Sequence, residues 1–173
     1  MQIRRAVPAD LETLIRIELE DEGVTASYRC AGEDDVEATR RKLEPFVVDG
    51  GAQLAVDGGA SIGAILWRIR DLAAVESWSV FREIDASVFP ADGRFAEIFQ
   101  LWVDPAHRRR GVATALKREL EVDARARGVG LVYTHTETRN AHVLALNAKL
   151  GYREVRRGPI WDAVIRVSLV KAL

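Results

Sequence analysis

The stretch from Ala96 to Arg127, AEIFQLWVDPAHRRRGVATALKRELEVDARAR, restricts the fold more than any other. Ala96 to Val103 reads as a strongly apolar strand, and Asp104-Pro105 ends it. From Gly111 the apolar positions change period: Val112, Leu116 and Leu120 recur at helical spacing up to Arg127, with Gly128 as the stop. A strand that turns through a short loop into a helix is a local anion site. The first N–H groups of the helix have no partner inside it, and the helix dipole is positive there. Gly111 and Ala113 add little bulk, so a ligand can approach the backbone. Arg108, Arg109 and Arg110 bring positive charge to the same loop. The phosphate loop of nucleotide triphosphatases needs a lysine after its second glycine, and the dinucleotide fingerprint needs three spaced glycines; neither is present. By itself the segment reads equally well as a polar loop leading into a solvated helix.

Charge decides against the broadest use of three arginines. The 173 residues carry a formal net charge of -1, whereas general nucleic-acid binding draws on excess basic charge. No base-stacking motif accompanies the arginines. With 48% apolar and 29% charged residues, the composition is that of an ordinary globular protein, long enough to bury a core. Cys30 is the only cysteine, so no internal disulfide forms, and no Cys/His spacing suggests a metal. The start, MQIRRAVPADL, lacks a signal-peptide core, and no apolar run is long enough to span a bilayer. The expectation is a cytoplasmic protein without metal, nucleic acid or membrane.

The remaining elements follow from periodicity and punctuation. Residues 2–6 read as a short strand, and Pro8-Ala9-Asp10 as a helix start with Asp10 as N-cap, followed by Leu11, Leu14, Ile15 and Leu19. Glu33 to Leu43 read as a second helix ending before Pro45. Ala52–Val56 and Ser61–Ile69 are strands around an Asp57-Gly58-Gly59 hairpin. Between 71 and 94, Val75, Trp78, Phe81 and Ile84 suit one face of a short helix before a turn at Pro90–Gly93. Leu131–Thr136 is a strand, Asn140–Leu150 a helix stopped by Gly151, and Tyr152–Val155 with Trp161–Val170 a final hairpin. The order β-α-α-β-β-β-α-β-α-β-β implies one α/β domain over residues 1–173 with a mixed sheet.

A second constellation narrows the reading: Asn140, then Val143, Leu146, Asn147, and finally Lys149-Leu150-Gly151-Tyr152. With Asp104-Pro105, the spacing of Arg108, Gly111 and Ala113, and the order of elements, the chain resembles the GNAT family of N-acetyltransferases. The family's cofactor motif is an arginine or glutamine, a glycine three residues on, and a glycine or alanine two further. Its second mark is an asparagine opening an apolar-periodic helix that ends in lysine, any residue, glycine and an aromatic.

The resemblance implies the acyl-CoA N-acyltransferase fold, with a mostly antiparallel mixed sheet, helices on both faces and a splay between the fourth and fifth strands. It implies acetyl-CoA as cosubstrate and an amine as acceptor; dimers are common in the family. The pyrophosphate would lie on the backbone of Arg108, Arg109, Arg110, Gly111, Val112, Ala113 and Thr114. Leu101, Trp102 and Val103 match the stretch whose backbone pairs with the pantetheine and polarises the thioester carbonyl, as an oxyanion hole does. Asn140 would bond the pantetheine, cap the last helix, or both.

An amine is mostly protonated at neutral pH, so a base helps. Glu97 resembles the base glutamate of histone-type members, and His135 lies where N-terminal-protein acetylating members carry one. Each also reads as a polar strand-end residue, and a water chain without a dedicated base is a third option. Asn147 stands where many members have a tyrosine acid. It should point inward, and its amide could bond the sulfur or only neighbouring backbone. That departure leaves open a non-catalytic acyl-CoA-binding sensor. Glu18, Glu20, Asp21, Glu22, Glu33, Asp34 and Asp35 read either as a region that steers a cationic amine or as a solvated loop. Trp78, Phe81 and Phe89 read as an acceptor wall or as core.

Overall fold

The computed structural model describes residues 1–20 and 36–173. Seven strands form one sheet in the order β1-β2-β3-β4-β5-β7-β6. They are β1 Gln2–Arg5, β2 Ala52–Asp57, β3 Ala60–Asp71, β4 Arg94–Val103, β5 Leu131–Glu137, β6 Arg153–Gly158 and β7 Arg166–Ala172. β4 and β5 run parallel, and the pairs β1–β2, β2–β3, β5–β7 and β6–β7 are antiparallel. This is the mixed sheet expected from the order of elements, mostly antiparallel as the family resemblance implied. The chain falls into two compact units, Met1–Trp67 with Gln100–Glu119, and Arg68–Phe99 with Leu120–Leu173.

In the first unit, β1 and β2 pair from Gln2–Val56 to Arg5–Gln53. Gly58 and Gly59, with φ of 55° and 84°, make the turn between β2 and β3, as Asp-Gly-Gly requires. The helices α1 (Leu11–Glu20) and α2 (Val36–Val48) bury Leu14, Ile15, Ile17, Leu43 and Phe46. Two expectations change here. Asp10 is not the N-cap: a short 3-10 turn, Pro8–Asp10, precedes α1, and the Asp10 carboxylate reaches back to accept from the Val7 N–H at 2.8 Å. It also takes both arms of Arg4 at 2.7 Å, so a strand-to-helix ion pair replaces a local cap. The second helix does not end before Pro45 but runs through it to Val48. Proline removes one helical hydrogen bond. Burial of Leu43, Phe46 and Val47 on either side offsets that loss, and Gly50 with φ 68° follows the helix.

In the acidic stretch, Glu18 is buried and paired with Lys42 at 2.6 Å, so it is not a solvent-facing charge. Asp21, Glu22, Glu33, Asp34, Asp35 and Cys30 lie outside the described residues.

In the second unit, residues 71–94 form not one helix face but two short turns, α3 (Leu72–Val75) and α4 (Ser79–Arg82), then a 3-10 turn and the tight turn at Gly93. Val75, Phe81, Ile84 and Phe89 join Phe95, Leu131, Tyr133 and Val170 in a core, so Phe81 and Phe89 are packing residues. Trp78 is 45% exposed and is not. The break comes from Glu76-Ser77: Trp78 adopts extended backbone, which sets α4 off from α3. The final hairpin also starts later than its apolar pattern suggests. Trp161–Ile165 form a loop, and β7 begins at Arg166, whose guanidinium folds back onto Asp162 in that loop.

β4 and β5 pair only through Ala96–Val132 and Glu97–Tyr133. Ile98 and Phe99 on one strand and Thr134 to Glu137 on the other continue beyond that register. Glu97 and His135 therefore lie where the parallel ladder ends.

Candidate active site

The first unit holds the loop. Asp104 accepts from the Ala106 N–H at 2.8 Å and faces His107 Nδ1 at 3.2 Å, which folds Pro105–His107 into one 3-10 turn. Those two contacts, the imidazole first, hold its carboxyl below the usual range. Arg108 gives its Nε–H to the Val103 carbonyl at 3.1 Å, tying the loop to the end of β4. Arg109 adopts φ 64°, rare for a residue with a side chain, and Gly111 follows with φ 84°. Left-handed residues alternating before a helix turn successive N–H groups toward one point, a nest for an anion. The helix α5 (Val112–Ala126) follows, and its first hydrogen bond, from Ala115 N to Gly111 O, leaves the N–H groups up to Thr114 outside the helical ladder. Arg108, Arg109, Arg110 and Gly111 are exposed, and a Cβ on Gly111 would meet nothing within 4 Å. The loop thus offers donors, open approach and three cations to an anionic group. Leu101, Trp102 and Val103 are half-buried at the end of β4.

Below the helix, Gly63 of β3 has a role that the sequence does not announce. A Cβ there would lie 2.8 Å from Val112 Cγ1, 3.2 Å from Leu116 Cδ1 and 3.2 Å from the Trp102 carbonyl. The bare backbone lets the first turn of α5 rest directly on β3.

The second unit holds the titratable groups. One oxygen of Glu97, Oε2, accepts from Arg68 Nε at 3.0 Å and Arg70 Nε at 2.8 Å. His135 meets Trp161 edge to face at 5.2 Å, and the Arg166 guanidinium lies 4.3 Å from the centre of the same indole. Burial pushes the His135 imidazole down to about 4; Glu97 opposes the shift and Arg166 adds to it. At neutral pH the ring is uncharged. The sign of the linkage follows. Between pH 6.5 and 4 the unfolded chain takes up a proton that the folded one refuses, so stability is full above 6.5 and falls with pH down to about 4. Between pH 7.5 and 4.5 the native protein should lose about 2.5 kcal/mol more than His135→Gln. Urea unfolding at the two pH values checks this; equal losses would mean that the imidazole is not held neutral.

Asn140 occupies the cap position of α6 (Ala141–Lys149), but its side chain does not cap. Its amide donates to Thr136 Oγ1 at 3.2 Å, which fixes it toward β5. Asn147 points inward as its spacing predicts: it is 1% exposed, and its Oδ1 has no hydrogen-bond partner among the described residues. Tyr152 is an anchor. Its hydroxyl donates to Glu121 Oε1 at 3.4 Å, Lys171 holds the other oxygen at 2.6 Å, and burial raises the phenol, with Glu121 adding to it. Arg68, Arg70, Trp161 and Arg166 were not anticipated at the site. Alternate arginines on β3, at 68 and 70, are the one signal that would have found a pair.

Strand, loop and helix together make a turn whose backbone N–H groups are open to an anionic group. Residues 12–152 match the acetyltransferase (GNAT) family, and the chain belongs to it. Acetyl-CoA is the cosubstrate, and its pyrophosphate is the kind of anion that open backbone N–H groups at a helix start attract. A comparison with curated protein sequences finds no match. Among solved structures, the chain is similar to a ribosomal-protein-alanine N-acetyltransferase from Brucella melitensis, with 22% identity, a TM-score of 0.74 and all of both chains covered. It is also similar to yncA, a putative acetyltransferase from Salmonella typhimurium solved with acetyl-CoA, with 20% identity, a TM-score of 0.73, and 100% and 94% of the chains covered. A mosquito arylalkylamine N-acetyltransferase-like protein shares 17% identity and a TM-score of 0.77 over 99% of each chain. At these identities the likeness is one of fold. Among the described residues, no helix is long and apolar enough to cross a membrane.

Because Gly63 seats α5, Gly63→Ala should weaken CoA binding several-fold and cost about 1–3 kcal/mol of stability by overpacking. Adding Val112→Ala removes the methyl that clashes and should restore much of both. Calorimetric titration with CoA, beside thermal melts of the single and double variants, checks this.

Proposed function

We propose that residues 1–173 act as one acetyltransferase domain that moves the acetyl group of acetyl-CoA to a primary amine. The observation that carries this reading is the nest of Arg109 and Gly111 opening onto the free first turn of α5. Backbone N–H groups from Arg108 to Thr114 hold the pyrophosphate. Leu101, Trp102 and Val103 present backbone to the pantetheine and a donor to the thioester oxygen. Asn140, steadied by Thr136, bonds the pantetheine amide.

Acetyl-CoA supplies an activated acyl carbon and a thiolate leaving group. The amine nitrogen forms the new C–N bond as the C–S bond breaks; the nitrogen loses a proton, and the thiolate, with a pKa near roughly 8.5, leaves and later takes one. The neutral His135 ring accepts the proton, directly or through water, and Glu97 supplies a fixed negative charge beside it. Asn147 cannot act as an acid, so its amide assists the sulfur by hydrogen bonding alone.

Release of free thiol with a panel of amines tests the reading, alongside titration with CoA; no binding at millimolar concentration would end it. The Glu97→Gln, His135→Gln double variant should bind CoA and lose about 10²- to 10⁴-fold in transfer. A second reading, an acyl-CoA sensor, rests on Asn147, whose buried oxygen has no hydrogen-bond partner among the described residues. It predicts tight binding with no transfer to any amine.

A further inference from the structure

The loop between β6 and β7, residues 159–165, is tied down at both stems by arginines whose side chains are only 4% and 3% exposed. At the first stem, Arg156 gives Nη1 to the Gly158 carbonyl at 3.3 Å and Nη2 to the Pro159 carbonyl at 2.6 Å, while its Nε holds Glu83 at 2.7 Å. At the second, Arg166 takes both oxygens of Asp162 and gives Nη1 to the Val164 carbonyl at 3.2 Å. A buried guanidinium is costly unless its donors are used, so these bonds fix the path of the loop as surface pairs do not. What the loop carries is nevertheless in view of solvent: Trp161 is 40% exposed. Its indole has the Arg166 guanidinium 4.3 Å from its centre and the His135 ring 5.2 Å away, edge to face. Two buried arginines therefore hold one half-exposed indole against one histidine.

His135 stands between a buried ring and an exposed one. Tyr133, 1% exposed, lies 6.2 Å away toward the core, and Trp161 lies toward solvent. The charged groups around the imidazole come from every neighbouring element. Glu137 shares its face of β5, Glu97 faces it from β4, Arg166 from β7 and Asp162 from the loop, and Arg156 of β6 lies beyond Ser168, its partner in register. These groups are committed to ion pairs: Arg166 with Asp162 and Glu137, Arg156 with Glu83, Arg139 with Glu137, and Glu97 with Arg70. Exclusion of water outweighs them, since burial is the largest cause that holds the ring down to about 4. We propose that Trp161 is a positioning residue for acetyl transfer: the clamped loop sets its indole on His135, so that the ring stands in one orientation, shielded from water, to take the proton of the attacking amine. The inference rests on the acetyltransferase reading and on His135 as the proton acceptor. The proton passes from the amine nitrogen to an imidazole nitrogen and later to water. A shielded ring is vacant for that proton in mild acid, where a solvated one is already filled.

The experiment follows the His135 ring by NMR titration, and acetyl transfer by thiol release, in the native protein, Trp161→Ala and Trp161→Phe. His135→Gln identifies its resonances among the 3 histidines. In Trp161→Ala the ring is expected to titrate near the ordinary value of about 6.5, and in Trp161→Phe close to the native one. The rate of Trp161→Ala relative to native should then fall about tenfold between roughly pH 8 and pH 5.5, because about nine rings in ten are protonated at the lower pH. For Trp161→Phe the same ratio should stay within about twofold. A ratio taken at each pH cancels the titration of the amine itself and any fixed loss of folded protein. Trp161→Gln, which fills more of the space with a polar side chain, is expected to behave as the alanine variant does and replaces it if that variant does not fold. A native His135 titration in these two variants overturns the inference and leaves His135 standing as the proton acceptor. A raised titration with an unchanged rate ratio shows instead that His135 does not take the proton, which removes the reading beneath the inference and the inference with it.

Discussion

Gly111→Val is expected to weaken CoA binding by roughly tenfold or more, and Arg109→Ala by less than about fivefold. Gly111 sits at φ 84°, where a residue with a Cβ costs about 1–2 kcal/mol and a β-branched one more. No protein atom lies within 4 Å of the added Cβ, so the damage is not a clash inside the protein. It comes from strain in the turn and from a side chain standing where the phosphate approaches. Arg109 differs. It already carries a Cβ at φ 64°, so Arg109→Ala changes no backbone preference and removes one exposed, salt-screened charge. Titration of both variants with CoA decides the order. If Arg109→Ala does more harm, the guanidiniums and not the backbone carry the site.

Gly51→Ala is expected to destabilise the protein by more than about 3 kcal/mol, lowering the melting temperature by roughly 10 °C. Here conformation is not the issue, since Gly51 has no positive φ. A Cβ would lie 1.9 Å from the Trp67 carbonyl oxygen, an impossible contact with backbone. Neither side yields easily. The Gly51 N–H donates to Phe46 O at 2.7 Å, and its carbonyl accepts from Trp67 N at 2.8 Å. Gly58 and Gly59 offer the contrast: they have open space around them, and alanine there meets only the cost of positive φ. Thermal and urea unfolding of the three alanine variants separates the two mechanisms. A Gly51→Ala protein as stable as the native chain would show that the start of β2 can move away from β3.

The elements written in local code were readable in the sequence. Gly128, Gly93 and the Asp57-Gly58-Gly59 turn stop or reverse the chain through their own φ preference, and the structure has each where the residues put it. The inward stripe of Val112, Leu116 and Leu120, and the burial of Asn147, follow from helical period alone. Misreadings arose where a distant partner overrode a local rule. Pro45 should end a helix, but its neighbours' burial carries the helix on. Asp10 should cap, but Arg4 and the Val7 N–H claim it. Trp161 reads as the start of a strand, yet it lies in a loop, in contact with His135 and Arg166.

The sequence by itself determined the family and the strand–loop–helix turn, because both rest on contiguous residues: the spacing of Arg108, Gly111 and Ala113, and the run from Asn140 to Tyr152. It also named Glu97 and His135 as candidates. Only the tertiary structure decided their surroundings. Arg68 and Arg70 stand almost thirty residues from Glu97, yet share its oxygen; Arg166 and Trp161 reach His135 from the last hairpin. Protonation of a buried ring and the pairing of charges depend on burial and on the distances between groups, and sequence spacing holds neither once the chain crosses from one element to another.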